Sequence, residues 1–173
     1  MNSLETWELL SYVVTVIGFP LAIFVFAYEQ RRERENEEES VYQLVSDNYE
    51  NFLRTALQHP DLKLFAAEET AQLSEEQKER MFIIFSMLVS LFERAYLLLY
   101  DVTMTSTERR RWLSWEDYMR EWCRRADFKR LLPLLLKGED PDFVRYIQSL
   151  QAQEDVQGMA TSARAATVAA PTR

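Results

Sequence analysis

The chain has 173 residues, a net charge of −8 and a pI near 4.8, and 47% of it is hydrophobic. That is enough apolar material for one ordinary core, which excludes wholesale disorder, and the acidic balance excludes a protein built to grip duplex DNA by its phosphates. Three glycines and five prolines are too few for a strand-and-turn architecture, while one cysteine and one histidine exclude a disulfide framework and a Cys/His zinc cluster.

Residues 9–28, from Leu9 to Tyr28, carry no charge, and only Ser11, Thr15, Gly18 and Pro20 fall outside the apolar set. Twenty residues rising ~1.5 Å each match the ~30 Å hydrocarbon thickness of a bilayer, and a helix satisfies its own backbone there. Trp7, Tyr12 and Tyr28 stand near the ends, where amphipathic rings settle among headgroups. A cleaved signal peptide would need a basic leader, a shorter apolar stretch and a small-residue cleavage site, and the sequence offers none of them. No basic residue occurs in the first eight positions, whereas Arg31, Arg32 and Arg34 follow the apolar stretch at once. The positive-inside rule then expects a single pass through the cell inner membrane, amino terminus outside and the remainder cytoplasmic. A lone cysteine suits that reducing compartment. Gly18 and Pro20 are expected to kink the span.

Residues 29–40 hold six glutamates and three arginines and read as a solvated helical stalk. Val41, Leu44, Val45, Tyr49, Phe52, Leu53, Ala56 and Leu57 then recur at spacings of three and four, one face of an amphipathic helix that His59-Pro60 should stop. After a connection over 61–72, Ser74 and Gln77 match a capping box for a helix reaching about Asp101. This helix is apolar all round between Met81 and Phe92. Glu93 and Arg94 interrupt the run after about a dozen residues, short of the ~20 a second span needs, so burial among other helices is expected.

Thr105, Ser106 and Thr107 offer caps for a helix carrying Trp112, Trp115, Met119 and Trp122 on one stripe. Asp127 is expected to cap a short helix distorted by Pro133, with Gly138 ending it. Asp140-Pro141 opens a last helix presenting Phe143, Tyr146, Ile147 and Leu150. From residue 153 the chain is rich in alanine, threonine and serine, and a disordered tail is expected. The fold class expected is therefore all-α: an amino-terminal tail and transmembrane helix (1–28), a charged stalk (29–40), a cytoplasmic bundle of four or five helices (41–152) and the tail (153–173).

Few residues suggest chemistry. Arg54 and His59 fit the arginine, four to six residues, histidine spacing of the HEPN ribonucleases, which resemble this chain in being small helical bundles. That resemblance implies RNA cleavage, with histidine exchanging protons and arginine stabilising the phosphorane, although Thr55 departs from the polar amide or acid usual after the arginine. His59 has an alternative place beside the terminal carbonyls of a helix. Between 108 and 130 eight basic residues face five acids, and Arg109, Arg110, Arg111, Arg120, Arg124 and Arg125 form a candidate patch for anionic lipid or RNA. The competing reading puts the tryptophans in a core with the arginines solvated behind them. The acidic runs at 37–39, 68–69 and 75–76 point their carboxylates in different directions on a helix, so no metal is expected. Phosphate-cradling loops and nucleophile elbows are absent, and no cofactor is expected. Cys123, beside Trp122, reads as packed.

The order of features is similar to a loose class of small bacterial single-span membrane proteins of unknown function. The residues that carry this are the amino-terminal span, Phe52-Leu53-Arg54, His59-Pro60-Asp61-Leu62, Trp112 with Trp115, and Phe143 with Tyr146. The class implies architecture and no activity. The expectation is a membrane-anchored interaction or sensor module without catalysis, whose partners are membrane lipid and either other proteins or further copies of itself, with no DNA. An oligomeric pore or effector, using Ser11, Thr15, Gly18 and Pro20 at helix contacts, is the first alternative, and the HEPN-like ribonuclease is the second.

Overall fold

A computed structural model describes residues 14–168, and the side chains of these except 14, 15, 35 and 162–168. The described chain is helical and holds no strand. A π-helical turn, Val14–Gly18, leads into α1, Phe19–Gln58. The wide turn has a local cause: Pro20 has no N–H to give, and its ring crowds the carbonyl four residues back. The chain divides into two compact units, Met1–Gln43 and Leu44–Arg173.

In the second unit, α1 ends at Gln58 and the chain passes His59 into a 3-10 turn, Pro60–Leu62. The proline stop thus falls where the sequence puts it. The connection that follows is ordered: Leu62 and Leu64 are buried, Thr70 donates its N–H to Asp127, and Ala126 donates to the Ala67 carbonyl. Helix α2, Glu75–Leu99, starts from a complete capping box in which the Ser74 hydroxyl accepts from the Gln77 N–H and the Gln77 amide oxygen accepts from the Ser74 N–H. Helix α3, Ser106–Cys123, begins in the same way from Thr105 and Glu108. Helix α4 spans Ala126–Leu135 and contains Pro133; α5 spans Pro141–Val168, with Asp140 accepting from the N–H groups of Asp142 and Phe143.

Two expectations need correction. Arg125, not Asp127, occupies the cap position of α4. Asp127 lies in the first turn, where its carboxylate accepts from the Thr70 N–H at 2.8 Å and from Arg130 at 2.9 Å, so it ties the 59–74 connection to the helix. Nor does disorder begin at 153, because helix continues to Val168. Glu154 and Asp155 are held by Arg120, Arg124 and Lys129, ion pairs with partners about 26 to 34 residues upstream that no local composition announces.

Ring contacts fix the helix directions within this unit. Tyr49 and Phe52 of α1 meet Trp115 and Trp122 of α3 in the same order, so these two run parallel. Phe85 and Tyr96 of α2 meet Trp122 and Trp112 in reverse order, so α2 runs antiparallel to both. The core is built on Trp115, Trp122, Phe85, Phe92, Phe128 and Phe143, all fully buried. Trp112, Trp115, Met119 and Trp122 are buried together, as the stripe on α3 requires. Two tryptophan N–H groups donate to tyrosines: Trp122 to the Tyr49 hydroxyl at 3.3 Å and Trp112 to that of Tyr146 at 3.1 Å.

Candidate interaction surfaces

Three surfaces of the described chain differ in chemistry. The first lies in the amino-terminal unit. Trp7, Leu9 and Tyr12 fall outside the described residues, as does the first part of the 9–28 stretch. Over 16–28 nine large apolar side chains, Val16, Ile17, Phe19, Leu21, Ile23, Phe24, Val25, Phe26 and Tyr28, are each 44–69% exposed. Only Gly18, Pro20, Ala22 and Ala27 separate them, so at 100° per residue no side of the helix carries a polar side chain. A soluble surface helix leaves one polar face outward, and this one does not. Arg31, Arg32 and Arg34, on the next turns of α1, are exposed.

By length and composition one described helix, α2, meets the requirement for crossing a bilayer. Eight of its side chains, from Met81 to Ala95, are buried in the bundle, and its first turn is closed by the capping box. A second set on α2 is exposed: Ile83, Met87, Leu97 and Leu98.

The second surface is the basic segment, which the fold divides. Arg109 and Arg110 are exposed near the start of α3, with Arg110 directed at the Thr107 hydroxyl, and Arg111 is half-buried. The other three arginines are tied up in ion pairs within the bundle. Arg120 binds Glu116 at 2.6 Å and Glu154 at 3.2 Å, and Arg124 binds Glu154 at 2.6 Å. Paired this way, the Glu154 carboxyl is held below the usual carboxylate range, chiefly by the Arg124 hydrogen bond and then, against its burial, by Arg120. Arg125 is buried, lies 4.1 Å from the Trp122 ring and 4.7 Å from Phe65, and reaches Glu121 at 2.8 Å. Its Nη1 has no hydrogen-bond partner. The six arginines therefore do not form one anion surface. Next to them, Cys123 is buried and its thiol is pushed up to about 12 by that burial, far from a reactive thiolate.

The third surface is a groove between α1 and α2, lined by Asn48, Asn51 and Thr55 on one side and Met87, Ser90 and Arg94 on the other. Sequence reasoning passed over it because the α1 positions are polar and do not belong to the apolar stripe. Their spacing of three and four is nevertheless as regular as that stripe.

The catalytic pairing has a different outcome. Arg54 is exposed and lies 3.6 Å from Glu50 one turn back. His59 has left the helix, and its N–H bonds the Ala56 carbonyl as the chain turns. Neither residue lines the α1–α2 groove or the groove beside Cys123. Among the described residues no group of three or more His, Cys, Asp or Glu side chains is placed to hold a metal ion.

No family model, no curated protein and no solved structure matches the chain.

Proposed function

We propose that this protein is a membrane-anchored helical interaction module, held in the cell inner membrane by one amino-terminal helix, with the amino terminus outside and the bundle on the cytoplasmic side. One observation carries the reading: the ring of exposed apolar side chains over 16–28. Nine such groups in water would cost on the order of 1 to 2 kcal/mol each relative to burial, a sum comparable to the whole stability of a typical domain. Hydrocarbon removes that cost, and the stretch continues in sequence to residue 9 without a charge. Arg31, Arg32 and Arg34 at its carboxyl-terminal edge set the sidedness.

The bundle's part is recognition. Its ionic groups hold helices together, and its exposed features are a regular groove and apolar side chains, the material of protein contact. The test is an alkaline carbonate wash of membranes containing the full chain. The protein is expected to stay in the pellet and to leave it only with detergent. Recovery in the supernatant would overturn the anchor and, with it, the sidedness.

A further inference from the structure

The groove of the second unit has a regular architecture. On α1 the groove positions Asn48, Asn51 and Thr55 continue back to Leu44, with steps of four, three and four. On α2 the groove positions Met87, Ser90 and Arg94 extend to Ile83 and Leu97, with steps of four, three, four and three, the seam spacing of helices that pack side by side with others. Because both rows line one groove, the two seams lie on one side of the pair. Along these rows Leu44, Ile83, Met87 and Leu97 are exposed.

The charges on this side are incomplete. Arg94 is exposed and lines the groove, and Asp47 is exposed beside Asn48. Neither has an ion-pair partner among the described residues, although most arginines of the bundle do. The antiparallel order sets Arg94 level with the Asn48 end of the groove and Met87 level with the Thr55 end.

We propose that this face binds a second copy of the same chain about a two-fold axis parallel to the helices. Such an axis keeps levels unchanged and sets each α1 against the partner's α2, completing a four-helix arrangement in which all neighbours are antiparallel. Arg94 of each copy then meets Asp47 of the other, twice per dimer. Leu44, Ile83, Met87 and Leu97 leave water, and the amides of Asn48 and Asn51 fix the register as polar groups in a seam do. The inference rests on the second unit alone and goes beyond the anchor: a failed carbonate test would leave it standing.

Charge reversal tests it in the full chain, purified in detergent. One variant carries Arg94→Asp and the other Asp47→Arg, and mass is measured by light scattering. The native chain is expected to be dimeric. Each variant alone sets like charges opposite one another at both contacts and is expected to weaken the dimer by about tenfold or more. An equal mixture of differently tagged variants restores opposite charges at both contacts, and a mixed dimer is expected. Its appearance also shows that both variants fold. A monomeric native chain, variants that dimerise as well as the native chain, or a mixture that forms no mixed dimer would each overturn the proposal; the second of these would place the contact on another face.

Discussion

Glu139 shows how much one side chain can carry. It lies in the turn between α4 and α5, and its carboxyl is pushed up to about 7 from 4.5 by burial first and then by Glu93 on α2, to which it is hydrogen-bonded. Glu93 also accepts the Asp140 N–H at the start of α5, so it cannot turn away without releasing that helix end. An acid whose folded value is raised contributes stability that is fully present below the unfolded value and lost as pH rises through the folded one. That window runs from about 4.5 to about 7. Glu154 works in the opposite sense: its carboxyl is lowered, so its contribution is present above the ordinary carboxylate value and disappears as the solution becomes more acid. The expected outcome is that urea midpoints of the native chain fall relative to those of Glu139→Gln between pH 5 and pH 8. Parallel pH profiles for the two proteins would show that the Glu93–Glu139 pair stores nothing.

At the scale of elements, helix starts were the most legible feature because their cause is local. Ser74 with Gln77 and Thr105 with Glu108 each satisfy two N–H groups within four residues, so sequence and structure contain the same information. Ser74→Ala is expected to cost about 1 kcal/mol, read as a lowered thermal midpoint, and a threonine at that position should restore most of it. The tryptophan stripe was legible for the same reason, since its period alone places four side chains on one face of α3. What sequence hid depends on distant partners. Asp127 resembled a cap until Thr70 reached it, and 153 onward resembled a tail until Glu154 met Arg120 and Arg124. The candidate surfaces divide along the same line. The apolar stretch shows in composition, whereas the loss of Arg120, Arg124 and Arg125 from the basic patch follows from which acids fold against them. Glu154→Gln is expected to cost roughly 2 kcal/mol. Most of this would come from the largely buried Arg120 arm, because the exposed Arg124 arm is screened by water. Denaturant unfolding of the full chain in detergent measures it.

For the whole molecule, the decisive question is what covers the apolar side chains of 16–28. A bilayer and a protein partner both would, and they respond differently to charge. An arginine near the middle of a membrane helix costs ~3 kcal/mol, so Leu21→Arg with Phe24→Arg should cost roughly 6 kcal/mol of insertion. The double variant is expected in the supernatant after an alkaline wash, with the near-ultraviolet signal of the buried tryptophans unchanged, since those residues belong to the other unit. If it stayed in the pellet, the apolar helix would not be the anchor. Sidedness can then be measured in the same chain because Cys123 is buried and its thiol is pushed up to about 12, leaving a silent background for maleimide labelling. A cysteine placed by Asn2→Cys should react with an impermeant maleimide added to intact cells whose outer barrier is permeabilised. One placed by Gln148→Cys, at an exposed position of α5, should react only after the inner membrane is opened. The reverse pattern would leave the proposed anchor in place and invert its topology, against the three arginines that follow the apolar stretch.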